Sequence, residues 1–221
     1  MTRKIVSRAP HREVGVVNAA WLLDHPVEHE SHLERRFVIA ALACPVVRDI
    51  IHQPLTLSLS EGEKPERYTP DFKVVFNDGS SVIVEVKPEV FLKKHEEKLK
   101  RVESLFSSEG QRFLVITDTL IDGQALAARA LLLMRYGRLR FDEQDAMECL
   151  QAMRRVCNED SSIKTLVTQG LSEALIWNLV ARHKCRVPVD FKVDIDQTIS
   201  VNPVRGDNRD YFKSWFGAQD R

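Results

Sequence analysis

The sequence predicts an α/β domain followed by a mostly helical region, and three observations carry that prediction. Two short apolar runs, Asp71 to Phe76 and Ser81 to Val86, flank Asn77-Asp78-Gly79-Ser80, whose Asp-Gly pair favours a tight hairpin turn. Helix-like and strand-like runs interchange over the first 140 residues, as expected where helices pack on a sheet. Beyond that point apolar residues recur mainly at helical spacing.

Each element has its own signal. Short strands are expected near Val14–Val17 and Trp21–Leu23. From Ser31 to Cys44, the residues Leu33, Phe37, Ala40, Ala41 and Cys44 recur at spacings of three and four, and Pro45 ends the run. Ser31 and Glu34 fit a capping box at its start. The stretch PLTLSLS, Pro54 to Ser60, alternates as a half-buried strand does, and EGEKPE after it reads as a loop. Beyond the hairpin, Glu89 to Phe106 predicts a helix and Arg112 to Thr117 a buried strand. Gln124 to Tyr136 predicts another helix, with Gly137 suited to its C-cap. The order is helix, three strands, helix, strand, helix, which defines a domain over residues 1–140.

Residues 141–204 predict helices at Glu143–Val156, Ser162–Gln169 and Ser172–His183, then strands at Pro188–Val193 and Thr198–Val201. With Gly170 between the last two helices, this predicts a helix-turn-helix with a wing. In the tail, 205–221, Tyr211, Phe212, Trp215 and Phe216 make an apolar stripe on a short helix. Such a stripe either packs back on its own domain or docks into a partner groove, and the polar neighbours and terminal position point to the groove as much as to the core.

Composition narrows the function. The 221 residues, 43% apolar, suffice for a large domain or a medium and a small one. The 32 basic residues balance 32 acidic ones. A strongly basic chain would signal autonomous nucleic-acid binding, so any DNA role must rest on local patches or on partners. From Arg140 to Arg221, 12 basic less 13 acidic residues leave −1, which favours a protein-docking module there. The longest apolar run, Phe37 to Val47, contains Pro45 and is too short to span a bilayer. The basic N-terminal stretch lacks a secretory apolar segment. Cys44, Cys149, Cys157 and Cys185 form no C-x-x-C pair, so reduced thiols in a cytoplasmic protein are expected. His25, His29 and His32 are interrupted by Pro26 and read as surface histidines.

The charges in the hairpin are the chemically informative feature. Residues two apart in a strand share a face, so Glu85 and Lys87 point one way while Val84 and Val86 point the other. Counting back from the turn brings Asp71 close to both. Two carboxylates and an ammonium would then converge at one end of a sheet. Carboxylates bind hard cations such as Mg²⁺, and a bound metal acidifies water and neutralises a leaving oxygen. The same spacing also fits a solvent-facing ladder of cross-strand ion pairs. Glu28, Glu30 and Glu34 are candidates for a third carboxylate. Arg35, Arg36 and Lys73 are candidate phosphate contacts. The lysines of the following helix are balanced at i,i+4 by Glu89–Lys93, Glu96–Lys100 and Glu97–Arg101.

In combination, ESHLERRF, HQPLTL, YTPDF and VIVEVKP, spread over residues 28 to 120, resemble the TnsA family, the endonuclease subunits of heteromeric transposases. The resemblance implies a restriction-endonuclease-like PD-(D/E)xK core. It implies that Glu34, Asp71 and Glu85 bind Mg²⁺, with Mn²⁺ able to substitute, and that Lys87 is the motif lysine. Some family members carry glutamine where this chain has Glu85. Gln53 matches a family glutamine and joins the candidate DNA contacts. The implied activity is nicking at the 5′ ends of a mobile element, leaving a 5′-phosphate and a 3′-hydroxyl. The implied partners are double-stranded transposon-end DNA, the DDE-class recombinase TnsB and the ATPase regulator TnsC. Two alternatives keep the fold: a stand-alone repair or restriction nuclease, and an inactive adaptor.

Overall fold

A computed structural model describes residues 14–59, 66–156 and 160–218. Cys157, the loop at 60–65 and the basic stretch at 1–13 lie outside the described residues. The chain runs through β1 (Gly15–Val17), β2 (Val27–His29), α1 (His32–Leu42), β3 (Val47–His52), β4 (Leu57–Ser58), β5 (Arg67–Tyr68), β6 (Phe72–Phe76), β7 (Ser81–Lys87), α2 (Leu92–Ser108) and β8 (Arg112–Thr117). It continues through α3 (Asp118–Asp122), α4 (Leu126–Gly137), α5 (Glu143–Val156), β9 (Asp160–Ser162), α6 (Ile163–Thr168), α7 (Glu173–Ala181), β10 (Thr198–Ser200) and α8 (Asn208–Trp215).

A mixed four-stranded sheet in the order β3-β6-β7-β8 is the centre of the fold. β6 and β7 form the expected antiparallel hairpin, and β8 lies parallel to β7. The turn works as its residues predict. Gly79 takes φ +85°, and the Asp78 carboxylate accepts from the Ser80 N–H at 2.8 Å. Alternation divides the sheet residues between two layers. Phe72, Val74, Phe76, Val82, Val84 and Val86 join the core shared with α1, α4, α7 and α8. Ile83 and Phe113 face the other way, onto Leu99, Val102 and Phe106 of α2.

Several expected strands are corrected. The edge strand beside β6 is β3, not residues 54–60. Only Leu57 and Ser58 of PLTLSLS pair, in a small ribbon with β5. Trp21–Leu23 is a turn, and the strand that partners β1 is β2. Pro188–Val193 forms no strand. The Phe191 N–H turns back to the Pro188 carbonyl, and the ring lies 4.8 Å from the Arg129 guanidinium. β10 pairs with β9, so the wing is not built as predicted, although α6 and α7 do flank Gly170 at φ +90°.

Gly137 is not a left-handed cap. It ends α4 inside the helix, and Arg138 is the C-cap. Its small size has another use: a Cβ there would fall 2.3 Å from Trp21 Nε1. Only glycine lets that indole lie on the helix backbone.

The C-terminal region belongs to the same core as the sheet. Phe212, Trp215 and Phe216 are buried, at 0%, 3% and 3% exposure. Phe212 packs 5.3 Å from Phe76, Phe216 packs 5.5 Å from Phe37, and Trp215 stacks on Phe191. Tyr211 donates to the Val187 carbonyl at 3.1 Å. The aromatic stripe is therefore packed on the protein's own core, which overturns the partner-docking expectation for Phe212, Trp215 and Phe216, while Tyr211 is half-buried. The last carbonyls of α1, which have no partner inside the helix, explain part of this. Trp215 Nε1 donates to the Ala40 carbonyl at 3.0 Å, and His183 Nε2 lies 2.9 Å from that of Leu42.

His183 has a pH signature. Burial holds its imidazole down at about 4, against the carbonyls of Leu42 and Val47. A lowered folded value means that the unfolded chain takes up the proton first. The stability from the neutral ring is complete above about pH 6.5 and is lost as pH falls towards 4, by up to about 3 kcal/mol. Urea unfolding at pH 7.5 and 4.5 should therefore show a steeper acid loss in wild type than in His183→Asn, a residue that tolerates the φ of +57° at this position.

Candidate active site

The hairpin register brings the predicted acids together. Phe72 pairs with Val84, so one step outward sets Asp71 opposite Glu85. The Val86 N–H confirms the placement by donating to Asp71 Oδ2 at 2.7 Å. Glu85 is buried at 7% exposure and holds two partners. Lys87 Nζ lies 2.9 Å from its Oε1, and the Tyr68 hydroxyl donates to its Oε2 at 2.6 Å. Pro70 precedes Asp71 and keeps the backbone extended into the strand. The Gln53 N–H donates to the Asp71 carbonyl at 2.8 Å and ties β3 to the same corner.

Charge is concentrated at this corner. Burial and then the charge of Glu85 push the Asp71 carboxyl well above the usual range. The Val86 N–H opposes this, the charge of Glu34 adds to it, and Lys87 opposes it weakly. Burial also raises Glu34, with smaller upward contributions from Glu30 and Glu85. Burial, with the adjacent Glu85 charge, raises Tyr68 and keeps its hydroxyl a donor. Asp71 and Glu34 each feel the charge of another acid, which is the mark of like charges gathered in one place.

Glu34 performs the capping role expected of it at the helix start. Its N–H donates to Ser31 Oγ at 3.1 Å, and Ser31 Oγ donates to its Oε1 at 2.9 Å. The Glu30 N–H donates to its Oε2 at 2.7 Å. It is thus a capping-box residue whose charge reaches Asp71 and Glu85. His52, nearly enclosed, lies 3.9 Å from Glu34 Oε2 and 4.0 Å from Glu28 Oε2. Burial lowers its imidazole, against Glu30 and Glu28. Gln53 sits in the left-handed region at φ +45° and donates its amide to Glu30 Oε1 at 3.1 Å. Such strain collects at functional corners.

The basic residues separate. Arg36 Nη1 donates to both carboxylate oxygens of Asp122, at 2.6 and 2.5 Å. Arg35 is exposed, and Lys73 is half-buried in β6, two residues on from Asp71 and on the same face. Lys100 pairs with Glu96 as expected, whereas Arg101 reaches across to Glu66. His29 is buried against Gly15, not on the surface. The sequence reading did not single out Tyr68 as a site residue. Tyr68 lies on β5, outside the central sheet, so no strand spacing in the sequence points to its contact with Glu85.

Among the described residues, no three His, Cys, Asp or Glu side chains are set to hold a metal ion by themselves. The three-carboxylate set is therefore close but does not form a closed cage. Two carboxylates still suit magnesium, which keeps several waters and draws further oxygen ligands from a substrate phosphate. Asp71 and Glu85, both oxygen donors and mutually repelling, fit that pattern.

Residues 44–118 match the family described as "TnsA-like endonuclease N terminal". The chain carries a TnsA-like endonuclease domain. The match covers roughly a third of the chain, from the end of α1 to the end of β8, and includes Asp71, Glu85 and Lys87. No curated protein gives a significant match. Among the described residues no helix is long and apolar enough to cross a membrane.

Proposed function

We propose that this TnsA-like chain is the metal-dependent endonuclease subunit of a heteromeric transposase, nicking duplex DNA at the 5′ ends of a mobile element. The single observation that carries the reading is the Asp71–Glu85 pair, facing across β6 and β7 with Lys87 on Glu85. Asp71 and Glu85 would hold the Mg²⁺ or Mn²⁺, with Glu34 as the third acid within electrostatic reach. A divalent ion there would acidify a water and neutralise charge on the leaving oxygen. Lys87 orients the attacking water and offsets negative charge at the phosphate. Tyr68 fixes the rotamer of Glu85, and the Val86 N–H fixes that of Asp71. The P–O3′ bond breaks, leaving a 5′-phosphate and a 3′-hydroxyl. The TnsB recombinase would act on the opposite strands, and the TnsC regulator would link both to the target. Cys44 and Cys149 are buried and in no disulfide, which suits a cytoplasmic setting.

The test is nicking of a transposon-end duplex in Mg²⁺ or Mn²⁺, with and without the recombinase, by wild type and Asp71→Ala. Nicking by wild type alone, strongest with the recombinase, supports the proposal. Equal activity in both proteins rules out catalysis at this corner, and full activity without a partner favours a stand-alone nuclease. Tyr68→Phe removes the outer donor to Glu85. It should lower cleavage about 10- to 100-fold, the usual cost of losing a group that orients a metal ligand, and shift the metal requirement upward in a Mn²⁺ titration. Unchanged cleavage would show that Lys87 alone positions Glu85.

A further inference from the structure

We propose that a second site, a cleft between the β1–β2 connection and the C-terminal ends of α4 and α7, binds backbone phosphates of the DNA duplex. The cleft has a volume of about 480 Å³, and its charged lining consists of Arg138, Arg140 and Arg182. No carboxylate lines it. Lys87, Lys98, Lys100, Arg101 and Arg112 all have acidic partners, as Arg36 does. Among the described ion pairs none involves the three cleft arginines. Arg182 makes one long contact, 3.5 Å to the Leu139 carbonyl, and Arg138 and Arg140 are exposed.

Helix ends explain part of this placement. Arg138 and Arg182 are the C-caps of α4 and α7, where cations are favoured by the helix dipole. That effect does not require three guanidinium forks around one cleft with no counter-charge. The wall also holds an unused donor: Trp21 Nε1 is shut from solvent and has no hydrogen-bond partner. It lies on Gly137, whose missing side chain leaves room for it.

The chemistry selects the ligand. Planar guanidinium forks match phosphate oxygens in pairs. Apart from Ala20 and Trp21 the lining contains no apolar side chain, so the three guanidinium groups and not an apolar centre dominate its chemistry. A chain of zero net charge must take its DNA affinity from unneutralised local clusters of this kind. The choice of a polynucleotide rests on the endonuclease reading above, whereas the anion site itself does not.

The experiment uses the full chain and a labelled duplex, with anisotropy read at several salt concentrations. Arg138→Glu/Arg140→Glu should weaken binding by about ten-fold or more, uniformly across sequences, and reduce the salt slope by about 2. Arg138→Lys/Arg140→Lys should keep the slope and lose only part of the affinity, which a purely structural role would not predict. The melting temperatures should stay near that of wild type. Unchanged affinity and slope in the Glu variant overturn the site. So does failure of wild type to bind the duplex, or preferential binding of poly-glutamate or of inorganic phosphate alone. Asp71→Ala separates the two proposals. If it still binds DNA through these arginines while no protein nicks, the cleft stands and the nuclease reading fails. If wild type nicks and the arginine variants bind normally, the reverse holds.

Discussion

Replacing Asp71 by asparagine should raise the melting temperature of the metal-free protein while reducing its DNA cleavage to background. Burial, and then the charge of Glu85 beside it, disfavours the charge of this carboxylate. Asparagine removes the charge and keeps an oxygen for the Val86 N–H. The unfolded chain ionises Asp71 at the ordinary carboxylate pH, but the fold resists doing so. Wild type is therefore penalised at neutral pH, and the gap to the variant should close as the pH falls into the ordinary carboxylate range. A rise of a few degrees is expected, since about 1 kcal/mol moves the melting temperature by about 2–4 °C in a chain of this size. Adding Mg²⁺ or Mn²⁺ should raise the melting temperature of wild type but not that of the variant, because only a native-state ligand stabilises by mass action. Calorimetry with and without metal checks all of this. A variant that melts below wild type at pH 7 would mean that the carboxylate supports the fold, and the case for a strained catalytic acid would fail.

The second large effect lies far along the chain. Trp215→Ala should cost about 3–5 kcal/mol, the usual range for deleting a buried aromatic side chain. It removes the stack on Phe191 and Tyr211 and leaves the Ala40 carbonyl without its indole donor. Because the same core runs from Val17 to Phe216, the sheet should melt together with the C-terminal helices in one transition. Cleavage should then fall even in assays without partners. A variant that folds like wild type and loses only its response to a partner would restore the docking reading of this helix.

Much of the fold was legible because local signals agreed with tertiary need. The Asp78-Gly79 turn set the hairpin, period-two alternation set its faces, and Ser31 with Glu34 marked the start of α1. Asp71 opposite Glu85 followed from counting residues. β3 was hidden by its own irregularity. Its register shifts between Val47 and Asp49, so its burial repeats every third residue instead of every second, and it follows directly on an apolar helix. PLTLSLS shows the opposite failure: good alternation with almost no strand to pair with. The aromatic tail misled because its polar neighbours resemble a free amphipathic helix. What covers it is the far side of α1 and the sheet, which no local pattern displays. The shared duty of Glu34, helix cap and neighbour of two acids, was legible only as two separate readings.

The corner gathers Glu34, Asp71 and Glu85, with the ammonium of Lys87 on Glu85. A sugar-phosphate strand approaching it meets repulsion before it meets chemistry. On the proposed reading, a duplex settles into the cutting position only after or together with its counter-ion. The order of loading then acts as a safeguard, leaving host DNA uncut when the protein touches it without cation.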